Sequence, residues 1–189
     1  MTTADAALLA APMADDGWHG GHIDLVPLAE EHRAGLRACC LPDDPVWEIY
    51  PYNMSGDHFD PLFDLALAGP DRQVFAVLVD GMVRGMTAYV SVRVDRQGLE
   101  IGGTLMAQEV RGNGLNGRVK KLLLDRAYDA GFRRVEFRVD RRNLRSQAAV
   151  RKLGALEEGV LRQERTTWTG HVRDTVVFSL LAHEWAARS

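Results

Sequence analysis

The hydrophobic positions of this chain recur with a period of two in some segments and near 3.6 in others, which predicts strands interleaved with helices. Gln73–Val79 and Met82–Val94 have strand character, and Asp80-Gly81 between them is typical of a two-residue hairpin turn. Leu99–Ala107 adds a third antiparallel strand to this hairpin. The other predicted strands are His22–Leu28, Arg134–Asp140, Leu156–Arg165 and Val172–Leu181.

Helical periodicity predicts helices between these strands. The longest spans Leu115–Ala130, where apolar side chains share one side and Gly131 closes the pattern. Shorter helices are predicted over Glu30–Cys40, Phe59–Ala68 and Leu144–Leu153. The long helix connects the fourth and fifth predicted strands. The predicted fold class is therefore α+β, a mixed and mostly antiparallel sheet of about seven strands flanked by helices.

The beginning of the chain has a different character. Residues 1–20 are rich in Ala, Asp and Gly without a sustained period, so they are predicted to form a flexible N-terminal arm. Residues 21–189 are then one domain, and 189 residues suffice for a full hydrophobic core. His19 and His22 flank a glycine pair, but such a pair in a tail is more often incidental than a metal site, and no metal is predicted.

Composition argues against several classes of protein. With 46% hydrophobic and 26% charged residues the chain is typical of globular proteins, and its net charge of −3 argues against a general nucleic-acid binder. No apolar run approaches the roughly 18 residues of a membrane span, and no basic segment precedes Ala6–Ala11 as it would in a signal peptide. Cys39 and Cys40 are adjacent, which gives neither a disulfide framework nor a metal-ligand spacing. We therefore predict a cytoplasmic protein without nucleic-acid or membrane partners.

The segment Gln108–Asn116 carries the strongest chemical signal. It lies between a predicted strand and the long predicted helix, and its glycines, Gly112 and Gly114, allow a tight turn with consecutive N–H groups pointing outward. The positive end of the helix dipole lies beside them, which favours an anion such as a pyrophosphate. Arg111 is expected to add a positive charge at the rim of this loop.

This loop resembles the acyl-CoA pyrophosphate loop of the GCN5-related N-acetyltransferases (GNAT). The family pattern is Gln/Arg-x-x-Gly-x-Gly/Ala at a strand-to-helix junction. Here Arg111 opens the pattern, Gly114 is its central glycine, and Asn116 stands where the family has Gly or Ala.

Three segments in order resemble a narrower group, the RimJ/RimL-like branch, which includes acetyltransferases of ribosomal-protein N-termini. They are Glu100–Thr104, the Gly-x-Gly-Leu-Asn run, and Arg142–Ala149 with Lys152–Gly154. The resemblance covers about residues 22–182. It implies the GNAT fold, in which the fourth and fifth strands splay apart and the pantetheine arm of acetyl-CoA lies between them.

The resemblance also implies a set of acetyl-CoA contacts. Backbone groups near the end of the fourth strand would bind the pantetheine and polarise the thioester carbonyl, and the loop N–H groups would hold the pyrophosphate. Asn143 would bond the pantetheine arm, or serve as the N-cap of the helix that follows it, and the two roles are compatible. The expected cofactor-binding residues are Leu105, Met106, Ala107, Val110, Arg111, Gly112, Asn113, Gly114, Leu115, Asn116, Asn143 and Ser146.

Candidates for proton transfer follow from the same resemblance. Many relatives have a tyrosine acid seven residues after the asparagine, where this chain has Val150. Ser146 is the alternative catalytic acid, or a first-turn helix serine. Glu100 is the candidate catalytic base, acting through water, or a solvent-facing strand residue, and Glu48 is a second candidate. A neutral acceptor amine would need no strong base. Direct attack in a ternary complex needs no cysteine nucleophile.

The acceptor is expected to bind beside an aromatic segment. Trp47, Glu48 and Tyr50 are the candidate substrate-binding residues, because an aromatic floor with a carboxylate suits a cationic amine. The alternative is that these aromatic side chains cap the core beneath a proline-rich loop. Trp168 and His171, in the last turn between strands, are expected to border the same site.

The predicted function is transfer of the acetyl group of acetyl-CoA to a primary amine, namely a peptide N-terminus as in the RimJ/RimL-like branch. A small-molecule amine acetyltransferase shares every cofactor feature and is one alternative. A non-catalytic CoA-binding regulatory module is the other, because the tyrosine acid is missing. Exposed edge strands at the C-terminal end also make a homodimer possible.

Overall fold

The computed structural model describes residues 4–69 and 72–188, which form one eight-stranded sheet with helices on both faces. In chain order the strands are β1 Met13–Asp15, β2 Ile23–Pro27, β3 Arg72–Val79, β4 Met82–Arg93, β5 Gly98–Met106, β6 Arg134–Asp140, β7 Leu156–Thr166 and β8 Val172–Leu181. Their spatial order is β1-β2-β3-β4-β5-β6-β8-β7. All neighbours are antiparallel except β5 and β6, which α4 connects as a parallel pair.

The helices are α1 Ala6–Leu9, α2 Arg33–Cys39, α3 Phe59–Ala68, α4 Leu115–Asp129, α5 Leu144–Lys152 and α6 Ala182–Ala186. A short 3-10 turn, Glu30–His32, leads into α2. Each predicted strand and helix is found close to its expected limits, which confirms the α+β fold class. Asp80 and Gly81 have φ values of 49° and 76°, as a type I′ hairpin turn requires.

The predicted N-terminal arm is wrong for residues 4–20. This segment contains α1 and β1, and β1 pairs antiparallel with β2, which makes the sheet eight-stranded instead of seven-stranded. Leu9, Met13 and Trp18 are buried. Asp15 forms an ion pair with Arg118 of α4 at 2.6 Å. Because β1 has three residues, its alternation is too short to detect, and the contacts that hold it come from distant residues.

Two hydrophobic clusters lie on opposite faces of the sheet. The larger one packs α4 against apolar side chains of β2–β6 and β8, and the smaller one packs α2 and α3 against β3, β4 and the end of β5. Over the described ranges no helix combines the length and hydrophobicity that crossing a membrane requires.

The centre of the sheet opens between β5 and β6. The two strands pair only at Gly98↔Arg134, Leu99↔Val135 and Glu100↔Glu136. Beyond Glu100, β5 continues beside β4 as far as Met106, while β6 continues beside β8 as far as Asp140. This is the splay that the family resemblance implies for the fourth and fifth predicted strands, which are β5 and β6 of the structure.

Candidate active site

The loop at the end of β5 offers uncommitted hydrogen-bond donors. Gly112 and Gly114 have φ values of 85° and 97°, a left-handed conformation that favours glycine. The backbone N–H groups of Gly112, Asn113, Gly114 and Asn116 have no acceptor among residues 4–69 and 72–188. Asn113 Oδ1 accepts from the Leu115 N–H at 3.1 Å and so caps α4. These donors lie at the positive end of the α4 dipole, where an anion is favoured.

Two buried polar atoms at this loop also have no hydrogen-bond partner among the residues that the structure describes. They are Trp18 Nε1 and Asn116 Oδ1. A Cβ added to Gly114 would lie 3.8 Å from Trp18 Nε1, whereas one at Gly112 would meet no atom within 4 Å. A buried indole N–H normally has an acceptor, so this surrounding suits the oxygens of a diphosphate. Sequence reasoning missed Trp18, because it belongs to the segment interpreted as a flexible arm.

The expected role of Arg111 as a charge at the rim is wrong. Its guanidinium turns inward and forms a two-point ion pair with Asp44, with Nη1–Oδ1 2.8 Å and Nη2–Oδ2 2.5 Å. The side chains are 14% and 1% exposed, respectively. Arg111 Nε also donates to the carbonyl of Met106 at 2.8 Å. The guanidinium interacts more strongly with a buried carboxylate than with solvent at the rim of the loop. Through its bond to Met106, this side chain also connects the loop to the end of β5.

At the end of β5, the backbone groups of one residue face the gap between β5 and β6. The N–H of Ala107 donates to the carbonyl of Arg84 at 2.8 Å, on the β4 side. Because backbone directions alternate along a strand, the N–H and C=O of Met106 face the opposite side, where β6 has already diverged. Arg111 Nε donates to that carbonyl, so the N–H of Met106 is the group that can donate to a ligand at the open edge. Leu105, Met106 and Ala107 are themselves buried.

On the other side of the opening, α5 begins with an N-cap. Asn143 Oδ1 accepts from the N–H of Ser146 at 3.0 Å, and the amide NH₂ of Asn143 has no acceptor within the described part of the chain. Ser146 is half-buried. Val150, where relatives have the tyrosine acid, lies in the hydrophobic core. The N-cap role of Asn143 is confirmed, and it leaves the amide donors available to a ligand.

Glu100 lies at the last residue pair before the strands separate. Burial raises the pKa of its carboxyl group, although the charges of Arg138, Arg165 and Arg173 oppose that shift. A carboxylate with a raised pKa at the base of a cleft is the form expected of a general base. Glu48, the second candidate, is exposed, and its backbone carbonyl accepts from Arg142 at 3.3 Å.

Comparison with known proteins agrees with this geometry. The family model described as "Acetyltransferase (GNAT) domain" matches residues 22–156, more than half of the chain. The chain belongs to the GNAT acetyltransferase family.

Solved GNAT structures share the whole fold. A probable acetyltransferase (GNAT family) from Chromobacterium violaceum is 31% identical, with a TM-score of 0.88 over 98% of this chain and 93% of that one. A GCN5-related N-acetyltransferase from Brucella melitensis is 25% identical, with a TM-score of 0.82 over 92% and 84%. Mycobacterium smegmatis RimJ, solved in complex with CoA-disulfide, is 19% identical, with a TM-score of 0.74 over 89% and 90%, a likeness of fold. No curated protein sequence matches the chain.

GNAT membership implies acetyl-CoA-dependent acyl transfer, with a CoA thioester as the cosubstrate. The cysteines agree with a mechanism of direct attack. Burial raises the pKa of Cys39 to about 11 and that of Cys40 to about 12. Both thiols are therefore protonated near neutral pH, and neither is an activated nucleophile.

The aromatic segment of this GNAT protein is tied into the structure. Trp47 is buried, and its Nε1 donates to the carbonyl of Leu41 at 2.8 Å. The hydroxyl of Tyr50 donates to the carbonyl of Thr104 in β5. Trp168 Nε1 donates to the carbonyl of Trp47 at 2.7 Å, which joins the β7–β8 turn to this loop. Trp47 and Tyr50 thus have packing roles, and their contact with an acceptor stays a prediction.

Sequence reasoning also missed a buried lysine in the GNAT core. Lys120 of α4 is 7% exposed, and its Nζ donates to the hydroxyls of Thr104 and Thr87, the latter at 3.3 Å. It has no carboxylate partner among the described residues, and burial lowers its pKa to about 7. The helical pattern gives no sign of this residue, because a lysine on α4 is expected to face solvent.

Proposed function

We propose that this protein transfers the acetyl group of acetyl-CoA to a primary amine by direct attack in a ternary complex. The observation that carries the proposal is the divergence of β5 and β6 beyond Glu100, which ends at a glycine loop with uncommitted N–H groups. An extended pantetheine arm fits the gap between two separated strands, and a pyrophosphate fits the loop at the N-terminus of α4.

The chain's own residues would bind and orient the cosubstrate. The N–H groups of Gly112, Asn113 and Gly114 would hold the diphosphate, with Trp18 Nε1 as an added donor. The N–H of Met106 at the open edge would donate to the thioester carbonyl oxygen, where negative charge develops during attack. Acetyl-CoA supplies the acetyl group as an activated thioester.

Proton transfer would use one group on each side of the cleft. The acceptor nitrogen bonds to the acetyl carbon as the carbon–sulfur bond breaks, and one proton leaves nitrogen while the thiolate gains one. Glu100 would receive the proton from nitrogen, directly or through water. The Ser146 hydroxyl would donate its proton to sulfur and regain one from solvent water. The raised pKa of Glu100 supports the first assignment. It also supports an enzyme over a non-catalytic CoA-binding module, whose function needs no buried carboxyl group.

For the acceptor we propose a peptide N-terminus as the first candidate, which the sequence resemblance to the RimJ/RimL-like branch supports. A small-molecule amine is the second candidate. The observation that favours it is the fastening of the aromatic loop to β5 and to the β7–β8 turn, through Tyr50 and Trp168. A loop held at both sides covers the acceptor face and suits a compact amine.

We also propose a homodimer formed along β7. This strand lies at the edge of the sheet, and its side chains are exposed along nearly its whole length. Leu156, Val160 and Leu161 are apolar and are 61%, 38% and 42% exposed. An edge strand with apolar side chains pairs readily with a second copy of itself.

The first test is replacement of the central loop glycine. Gly114→Val should abolish detectable acetyl-CoA binding in isothermal titration calorimetry, because a β-branched residue cannot adopt φ 97° without strain and its side chain enters the loop. Gly81→Val is the matched control, since φ is 76° there but the residue lies in the β3–β4 hairpin turn. It should bind acetyl-CoA as the unchanged protein does.

Thiol release with a panel of amines, measured in the same samples, tests the chemistry. Release with peptide N-termini supports the first acceptor, and release with small amines supports the second. Equal acetyl-CoA affinity of Gly114→Val and the unchanged protein would contradict the assignment of the loop.

A further inference from the structure

The face of β6, β7 and β8 that lies opposite α4 and α5 carries a cluster of arginines next to the proposed base. Apolar side chains of β6 and β8 point into the α4 core, while the alternate residues Arg138, Arg173 and Thr175 lie on the other face. Arg165 of β7 pairs in register with Arg173 of β8. Three guanidinium groups therefore meet on one patch of the sheet.

Arg173 is the member that the protein leaves least satisfied. It is 5% exposed, and among the described residues its guanidinium donates one hydrogen bond, from Nη2 to the carbonyl of Arg138 at 3.2 Å. Within the part of the chain that the structure describes, its Nε is buried without a partner, and so is Nε of Arg138. No ion-pair partner of Arg173 occurs within residues 4–69 and 72–188. A guanidinium has five N–H donors, and a buried one without a carboxylate is strongly disfavoured.

Two of the surrounding carboxylates are engaged by other arginines. Glu164 is shared by Arg138, with Nη2–Oε1 3.0 Å, and by Arg165, with Nε–Oε2 2.8 Å. Asp140 pairs with Arg142 at 3.0 Å. The three guanidinium groups of the cluster thus face two carboxyl groups, Glu164 and Glu100, so one positive charge is left over, and Arg173 is the buried member.

The cluster adjoins the place where the acceptor has to bind. All three guanidinium charges act on the Glu100 carboxyl, so the groups lie within electrostatic reach of the proposed base. The charge of Arg165 also acts on Tyr52 of the aromatic loop, which lies on the same side of the sheet. If the amine of an acceptor lies at Glu100, the acceptor atoms next to that amine therefore lie near the three arginines.

We propose that Arg173, with Arg138 and Arg165, binds an anionic group, a carboxylate or a phosphate, that the amine acceptor carries near its nucleophilic nitrogen. An anion would give the unpaired Arg173 N–H groups their missing acceptors, and bidentate pairing of this kind selects strongly for planar or tetrahedral oxyanions. This assignment rests on the proposed acetyl transfer and names the chemical class of its acceptor.

The test compares primary amines that carry an anionic group with partners that lack it. Acetyl-CoA thiol release is measured with 4-aminobutyrate against 4-aminobutanamide, and with 2-aminoethyl phosphate against ethanolamine. A third pair of peptides has Asp or Asn as the second residue. We expect kcat/KM at least about tenfold higher for the anionic member of one or more pairs. The small pairs and the peptide pair distinguish a free metabolite from an acidic N-terminus as the source of the anion.

Variants of the arginines locate the effect. Arg173→Gln should raise KM for the preferred anionic amine by about tenfold or more and leave KM for acetyl-CoA unchanged, so that the preference in kcat/KM for the anionic over the neutral partner is lost. Arg165→Gln is a second, more exposed variant in case Arg173→Gln fails to fold. Arg162→Gln, exposed on the same strand, is the control and should change neither constant.

Two results would overturn the assignment. One is equal or higher kcat/KM for the neutral member of every pair. The other is normal acetyl-CoA binding with two negative results, namely no calorimetric binding of any anionic amine to the CoA-saturated protein and no acetylation of any of them when acetyl-CoA is supplied. Failure to bind acetyl-CoA at all would instead contradict the proposed function, so the two failures are distinguishable.

Discussion

Three charged groups along β5 differ in the partners that stabilise them. Arg111 has a full carboxylate partner in Asp44, and Lys120 has threonine hydroxyls. The Glu100 side chain has neither a hydrogen bond nor an ion pair within the described ranges. The pKa directions follow from these surroundings. Pairing lowers the pKa of Asp44, while burial lowers that of Lys120 and raises that of Glu100. Asp44 and Lys120 therefore affect the stability of the protein, whereas Glu100 affects the proposed chemistry.

Lys120→Met should stabilise the protein by about 1–4 kcal/mol at pH 6, because an unpaired ammonium is no longer buried. The pKa of Lys120 in the folded protein, about 7, lies below the ordinary 10.5. Between these two pH values the unfolded chain binds more protons than the folded protein does. The free energy of unfolding of the lysine-containing protein therefore rises with pH over this range. The advantage of Lys120→Met should therefore shrink from pH 7 to 10.5. Thermal unfolding across this range measures it.

Lys121→Met is the control for this series, since Lys121 is exposed on the same helix and pairs with Asp125. It should change stability by less than about 1 kcal/mol. A constant difference between Lys120→Met and the unchanged protein at every pH would contradict the titration of Lys120.

Glu100→Gln should lower kcat by about 100-fold or more and leave acetyl-CoA affinity unchanged, because an amide cannot accept the proton from the acceptor nitrogen. Glu136→Gln is the matched variant, since Glu136 is paired in register with Glu100 but forms its ion pair with Arg134. Steady-state thiol release with the best amine of the panel measures both. An undiminished kcat in Glu100→Gln, at a pH where that amine is mostly protonated, would remove Glu100 from the base role.

At the scale of elements, the strands and helices from β2 to β8 could be predicted from the sequence, because each carries its own periodicity and its own turn residues. The glycine loop could be predicted for the same reason, since its conformation depends on local φ values. β1 and the inward turn of Arg111 could not be predicted. Both depend on partners far along the chain, Arg118 for β1 and Asp44 for Arg111, and a single sequence gives no sign of such pairs.

The Asp44–Arg111 pair joins the start of the aromatic loop to the glycine loop, so its loss should affect both elements. Asp44→Asn should destabilise the protein by about 3 kcal/mol, because the guanidinium stays buried without its carboxylate. It should also weaken acetyl-CoA binding. Asp43→Asn, one residue earlier and exposed, is the control. Chemical denaturation and calorimetry measure the two effects.

The same pair predicts a pH dependence. Because Arg111 holds the pKa of Asp44 below its ordinary 3.8, the stability that the pair adds is complete above that value and is lost as pH falls through the native pKa. Asp44→Asn should lack this loss. The assignment would be contradicted if the stability of Asp44→Asn fell with decreasing pH as much as that of Asp43→Asn and of the unchanged protein.

At the scale of the whole molecule, the sheet has one edge at β1 and the other at β7. β1 has three residues, of which only Ala14 is exposed, whereas β7 has eleven residues and carries exposed apolar side chains. The two edges therefore differ in their tendency to pair. The sequence predicts the exposed C-terminal edge but not this contrast, since β1 itself escapes prediction.

Leu161→Arg should convert a dimer into a monomer in sedimentation velocity at micromolar concentration, because a charge at the centre of β7 opposes pairing with a second copy. Leu65→Arg on α3 is the control, since Leu65 is 54% exposed but lies far from the edge strands. A monomeric unchanged protein would contradict the β7 dimer directly.

The short contact between β5 and β6 also has a mechanical consequence. Strands β1–β5 and β6–β8 are two continuous half-sheets. In the described part of the chain, β5 and β6 are joined along a short backbone seam between residues 97–100 and 133–136. A seam at one end of two diverging strands acts as a hinge, and small rotations about it change the width of the gap most at its far end. A ligand lying along that gap would brace the two halves against each other, so the stiffness of the whole molecule is expected to depend on whether the gap is filled.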